Sequence, residues 1–315
     1  MADKTVFYHH PCIDGALAAW SCYQSHGDKA KYVGLDHADY ATIERNIIDN
    51  VTPDTVACFV DFAPRKDILE NILDKVSKVE VFDHHITAQK DIEGFQSHPK
   101  CEIVFDMERS GAGIAYDEFI GGTRPLFVTY VENLDLYKPE RFESEDQFFT
   151  IASFISTIDV DRPFDEVRKD IDGYMRLDTI EAFENLGRAP RQIYLDSITE
   201  VLKDVDLIDL SFLKSCPNAK FVAASHVNLH DMGHEFIPML VARSKDERKV
   251  GLTWGQHDEK TMKLSLRCDG SIDLSLVAQE MAADYGLNGG GHKGAASVRF
   301  TTEQFESFFK KVKGR

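Results

Sequence analysis

The sequence predicts an α/β protein: a parallel sheet with helices on both faces, then a helical connector, then a smaller α/β domain. Three observations predict it. Through residue 135, short β-branched and aromatic runs alternate with amphipathic helical periods; a charged stretch of helical pattern follows; the remainder is rich in glycine and in strand-like runs. The boundaries read from these shifts are 1–145, 146–206 and 207–315.

In the first domain the strand candidates are TVFY (5–8), KYVGL (31–35), TVACFV (55–60), KVEVF (78–82), EIVF (102–105) and LFVTYV (126–131). Between them, ALAAWSCYQ, YATIERNIIDN, KDILENILDKV and GIAYDEFI space their apolar residues three and four apart, as amphipathic helices do. Repetition of strand, helix, strand implies a parallel sheet covered on both faces. In the connector, FFTIASFIST and IEAFENLGRAPRQIYLDSITEVLKDV carry the helical period. The runs AKFVAASHV, FIPMLVARS, KVGLTWGQ, KLSLRCDG and NGGGHKGAASVRF supply the strands of the second domain.

Composition narrows the function. A chain of 315 residues with 43% apolar content is too long for one ordinary core. Its 53 acidic and 36 basic residues give a net charge of −17, which repels a long polyanion and argues against duplex DNA as partner. Small phosphorylated ligands remain open, because a divalent ion and an arginine reverse the potential locally. No run approaches the ~18 apolar residues of a membrane span. The start, MADKTVFYHH, lacks a basic-then-apolar leader and enters a strand pattern at once, so a cytoplasmic protein is expected. Cys12, Cys22, Cys58, Cys101, Cys216 and Cys268 form no CxxC pair, so reduced thiols rather than a zinc knuckle are expected.

Ligands on such sheets collect beyond the carboxyl ends of the strands. His9, His10 and Asp14 follow the first strand, Asp61 the third, Asp83, His84 and His85 the fourth, and Asn133 and Asp135 the sixth. Taken singly, each aspartate reads as a turn or cap residue and each histidine as surface or satisfied core. Together they make one acidic, imidazole-rich edge, and the bland reading gives no reason for the coincidence. Hard oxygen and borderline nitrogen donors suit manganese, magnesium or zinc. Two such ions clamp a phosphoryl oxygen for in-line hydrolysis, so phosphoester cleavage is the implied chemistry.

The segments FYHHPCIDGALAAW, FVDFAPR, VFDHHITAQ, DMERSGAGIAYDEF, VENLDLY and NGGGHKGAAS resemble the DHH family of phosphoesterases with its DHH-associated C-terminal domain, across nearly the whole chain. The resemblance is to the type that cleaves short oligonucleotides or dinucleotides. It implies a metal-bearing first domain and a substrate-gripping second one. Asp14, Asp61 and His84 then fall at metal ligands, with His10 as the imidazole of the first segment. Asp83 orients an imidazole, as metal-site histidines require, and His85 faces the substrate phosphate. The expected cofactor is Mn2+, one or two ions, with Mg2+ or Co2+ as substitutes. Two positions depart from the family pattern. Cys12 stands where many members carry an aspartate, and the aspartate expected near VENLDLY falls on Asn133 unless the alignment shifts to Asp135. A neutral amide holds metal more weakly than a carboxylate, so one tight and one weak ion are expected.

In NGGGHKGAAS, Gly289, Gly290 and Gly291 let a ligand approach the backbone N–H groups, with His292 and Lys293 adding positive charge. Without the family, GGG is simply a flexible turn. The resemblance makes Arg267 a phosphate or base contact; its plain reading is an exposed strand-end arginine. His226, His230 and His234 are spaced four apart, but the Asp-Met-Gly between them favours a surface loop. Trp254 and the aromatic stretch 144–154 read as core. The function expected is a metal-dependent phosphodiesterase, of the exonuclease class, hydrolysing nano-RNA or linear or cyclic dinucleotides by metal-activated water. A phosphomonoesterase or pyrophosphatase on the same site, and a catalytically weakened nucleotide sensor, are the alternatives. Oligomeric state is left open.

Overall fold

A computed structural model describes residues 3–36, 40–217, 222–226, 239–242, 250–258, 260–268 and 272–313. They divide into two units, Met1–Gln192 and Ile193–Arg315, with the division falling inside one long helix.

The first unit is built on β1 (Lys4–His9), β2 (Ala30–Leu35), β3 (Val56–Val60), β4 (Lys78–Asp83) and β5 (Cys101–Phe105), in the order β2-β1-β3-β4-β5. All four pairings are parallel. Helices α1 (Ile13–His26), α2 (Tyr40–Ile48), α3 (Lys66–Leu73), α4 (Ile86–Ile92) and α5 (Gly111–Phe119) join or follow the strands. Successive strand side chains point to opposite faces. Phe7, Phe59 and Val81 thus meet Ile43 and Ile47 of α2 and Ile68, Leu69 and Ile72 of α3, while Val6, Val60 and Phe82 meet Ala18 and Ala19 of α1 and Ile114 and Ala115 of α5. Burial on both faces is why these strands read as unbroken apolar runs. The α/β class and parallel sheet expected from the sequence are present.

The sixth expected strand is not. LFVTYV lies in a helix, α6 (Leu126–Asp135), entered from Pro125. Its Phe127, Val128, Tyr130 and Val131 are buried at helical spacing against Ala16, Leu17 and Trp20 of α1. Burial of a helical face overrides the β-branched composition of the run. The connector forms α7 (Glu145–Ile155), α8 (Phe164–Tyr174) and α9 (Ile180–Val201). Ser144 caps α7 by accepting from Gln147 N, and Phe148, Ile151 and Phe154 are buried core.

The second unit carries β6 (Asp206–Ile208), β7 (Val222–His226), β8 (Val250–Asp258), β9 (Thr261–Cys268), β10 (Asn288–His292) and β11 (Ala295–Thr301), in the order β10-β11-β9-β8-β7-β6. Only β7 and β8 run parallel among these pairs. Leu252, Leu264, Leu266 and Phe300 of this sheet pack on Val277 and Met281 of the helix Leu274–Tyr285 and on Phe308 of the helix Thr302–Lys313. Trp254 is core, its ring 4.5 Å from that of Phe309. The expected glycine loop is instead the edge strand β10. A Cβ at Gly289 would meet Ala278 O at 2.5 Å, and one at Gly291, where φ is +150°, would meet Ala295 O at 2.3 Å. Those glycines therefore serve close backbone packing. Within FIPMLVARS, residues 239–241 are helical. His226 ends β7, whereas His230 and His234 lie outside the described residues. Among the described residues no helix is long and apolar enough to cross a membrane.

Candidate metal centre

The carboxyl ends of β1, β3 and β4, the first turns of α1 and α5 and the last turn of α6 bring their polar residues to one place. Asp61 follows β3 with φ 52°, a left-handed conformation that costs an L-residue about 1–2 kcal/mol. Its N–H donates to Phe82 O at 2.9 Å, and Gly111 closes in from the start of α5, where a Cβ would sit 2.3 Å from Asp61 Cβ. So held, Asp61 turns Oδ2 to His9 Nδ1 at 3.4 Å and Oδ1 to His84 Nε2 at 3.3 Å. His84 Nε2 also lies 3.5 Å from Asp135 Oδ2. Asp14, in the first turn of α1, accepts on Oδ1 from Ser110 Oγ at 2.6 Å and from Ala112 N at 3.2 Å.

A chain of buried polar groups backs that hold. Ser110 caps α5 by accepting from Gly113 N, and its own N–H donates to Glu132 Oε2 at 3.2 Å. Arg124 Nη1 donates to Glu132 Oε1 at 2.7 Å. Asp83 is 1% exposed, and its Oδ1 accepts from His84 N at 2.7 Å and from His85 Nδ1 at 2.7 Å.

The electrostatics are those of carboxylates short of positive charge. Burial, then the charges of Asp61 and Asp135, push the Asp14 carboxyl well above the usual range. Burial also raises Asp135, against the pull of His84. At Asp61 burial acts upward too, but the contacts with His84 and His9 outweigh it and hold the carboxyl at about 2. Burial disfavours the charged form of His84, yet Asp61 and Asp135 raise it overall. The bond to Asp83 lifts His85 to about 9. Burial and the charges of Asp61 and Asp14 push the Cys12 thiol up.

A cation fits this arrangement. Asp14 Oδ2, both oxygens of Asp61, and His84 Nε2 are buried without a hydrogen bond, a cost that native structures do not ordinarily carry. Ligand atoms of Asp14, His84 and Asp135 lie within 4.8 Å of one another, as do those of His9, Cys12 and Asp61, and those of Asp61, Asp83, His84 and His85. Asp61 and His84 therefore join two neighbouring donor groups.

Two expected ligands are placed elsewhere. His10 points to the other face of β1, its ring 6.0 Å from Tyr8 and its Cβ against Gly34, because alternation along the strand sends it opposite to His9. His9 takes its place beside Asp61. Asn133 is 3% exposed and its Oδ1 accepts from Arg141 Nη1 at 2.8 Å, while Asp135 reaches the cluster. Asp14, Asp61, Asp83, His84 and His85 lie together at this edge; Arg267, Gly289, Gly290, Gly291 and His292 belong to the second unit. Arg267 Nη1 donates to Leu266 O at 2.9 Å. Sequence reasoning missed Ser110, Glu132 and Arg124. The S-x-x-G start of α5 and a glutamate in the apolar face of α6 were the available signals.

Two predictions arise here. Asp135→Asn should raise the manganese concentration needed for half-maximal binding, and Asn133→Asp should leave it unchanged, because Asn133 faces Arg141. Calorimetric titration of both variants checks this, and a shift confined to Asn133→Asp would reverse the assignment. Gly111→Ala should displace Asp61 and weaken metal binding while costing about 1–3 kcal/mol of stability from overpacking. Denaturant unfolding and metal titration, run side by side, test it; unaltered metal affinity would show that this close approach does not set the aspartate.

Comparison with known proteins adds one family match. Residues 234–315 match the DHHA1 domain model. The DHHA1 segment supports the DHH-family resemblance seen in the motifs. No curated protein matches the sequence. A solved structure of an uncharacterized protein from Helicobacter pylori G27 aligns over 98% of this chain and 98% of its own, at 13% identity and TM-score 0.40. CDC45 from Entamoeba histolytica aligns over 98% of this chain and 94% of its own, at 8% identity and TM-score 0.48. Both likenesses are too distant to bear on function.

Proposed function

We propose that the protein is a metal-dependent phosphodiesterase that hydrolyses short nucleotides: nano-RNA, linear dinucleotides or cyclic dinucleotides. The observation that carries this reading is Asp61, buried, with one oxygen toward His9 and the other toward His84, between two groups of metal donors. His9 and Asp61 on one side, and Asp14, His84 and Asp135 on the other, would hold one or two divalent ions, with manganese expected at the Asp14, His84 and Asp135 group. When bound, such ions neutralise charge on a phosphoryl group and acidify water. Ser110 and Ala112 N fix one oxygen of Asp14 and leave the other for metal.

His85 has a separate task. Its Nδ1–H donates to Asp83, which orients the ring and favours its protonated form. Nε2–H is then available to donate to a phosphoryl or leaving-group oxygen as charge develops there. The acidic surface favours small over long substrates. In the second unit, Arg267, the edge strand at Gly289, Gly290 and Gly291, and His292 are proposed to hold the terminal phosphate or base. The sensor alternative drew on Cys12 and Asn133; Asp135 at the cluster weakens the second of these grounds and leaves the first.

The test is a panel of linear dinucleotides, cyclic dinucleotides and nucleoside monophosphates incubated with manganese and resolved by chromatography. Mononucleotides should appear from dinucleotides, with no phosphate from the monophosphates. Phosphate release alone would indicate a monoesterase, and binding without turnover a sensor.

A further inference from the structure

The two donor groups that meet at Asp61 differ in chemistry. One, Asp14, His84 and Asp135, offers only oxygen and nitrogen. The other, His9, Cys12 and Asp61, includes a sulfur. Cys12 occupies the N-cap of the 14-residue helix α1, in extended conformation, so its sulfur lies at the open end of the helix beside His9 and Asp61. A cysteine binds metal as the thiolate, and a bound cation supplies the positive charge that this thiol, among Asp61 and Asp14, otherwise lacks. Across from it, Asp61 is 1% exposed with no hydrogen bond on Oδ2. His9 is 26% exposed, so the group opens to solvent and an ion can enter.

We propose that His9, Cys12 and Asp61 form a thiolate-bearing half-site that takes a borderline divalent metal of the zinc, iron or cobalt class, beside a half-site for a hard ion. Thiolate and imidazole donors select such metals, whereas carboxylates suit manganese and magnesium. Three protein ligands leave a fourth position for water or a phosphoryl oxygen, the arrangement of a catalytic rather than a structural site. Cys12 Sγ gives up its proton to solvent as the metal binds, one proton for each metal taken. The proposal rests on the metal-centre reading of Asp61, and the experiment separates the two.

The full chain, stripped of metal and kept anaerobic, is titrated with cobalt(II) while its visible and near-ultraviolet absorption is followed. The expected result is a thiolate-to-cobalt charge-transfer band that saturates at one cobalt per chain. Cys12→Ser should abolish the band and weaken zinc binding more than ~100-fold, beyond the effect of losing an outer partner. Cys12→Asp should also lack the band but bind manganese more tightly than the parent. Circular dichroism establishes that both variants are folded. Cobalt absorption in the visible without the near-ultraviolet band overturns the thiolate half-site and leaves the metal centre standing. Persistence of the band in Cys12→Ser overturns the assignment to this residue. Absence of any cobalt binding overturns both readings.

Discussion

Replacing Asp61 by asparagine is expected to abolish most metal binding and to lower turnover by at least ~100-fold, since even an outer partner of a metal is worth 10–100-fold. The variant removes a charge that belongs to the group with His9 and Cys12 and lies 3.3 Å from His84 of the other. It should not unfold the protein. Asp61 sits at a strand end with φ 52°, a left-handed conformation that asparagine adopts more readily than most residues. Thermal unfolding of the metal-free protein should shift down only modestly, because the lost contacts with His84 and His9 are offset in part by relief of the buried charge. Metal titration and turnover, measured with the unfolding curve, decide the matter. Near-normal activity in a folded Asp61→Asn variant would contradict the metal assignment.

The adjacent histidines should part company. His84→Ala removes the imidazole that lies 3.3 Å from Asp61 and 3.5 Å from Asp135, so metal affinity should fall. His85→Ala removes a ring that is tied to Asp83 through Nδ1 and whose side chain is 43% exposed. Metal affinity should stay close to normal there, while kcat and kcat/KM fall together by about 10²–10⁴, the range for loss of a general acid. His85 belongs to one of the clusters of possible ligands, which makes the comparison a real test. Equal loss of metal in the two variants would show that His85 is a ligand.

Much of the first sheet was legible because strands buried on both faces print their burial as continuous apolar runs. LFVTYV was not, since a short apolar run bounded by turn residues suits a buried helix equally well. The uncertainty over the neighbouring ligand came from the alignment at VENLDLY, and the helix bears on it. On a strand Asn133 and Asp135 would share a face, but on α6 they are about 200° apart, so only one can face the cluster. The choice between His9 and His10 is the converse case. Alternation at a strand end assigns them to opposite faces, but the sequence does not say where the register begins. Cys12 was visible as a departure from an aspartate pattern, yet its meaning depends on the nearness of His9 and Asp61, which only the folded chain provides. The glycine run shows the same limit: composition proposes a loop, and the close packing of Ala278 and Ala295 makes it a strand.

The most direct measurement is anomalous diffraction from crystals equilibrated with manganese and then with cobalt. The account predicts scattering peaks on both sides of Asp61, one beside His84 and Asp135 and one beside His9 and Cys12. A peak coordinated elsewhere, or no peak at this sheet edge, would contradict it.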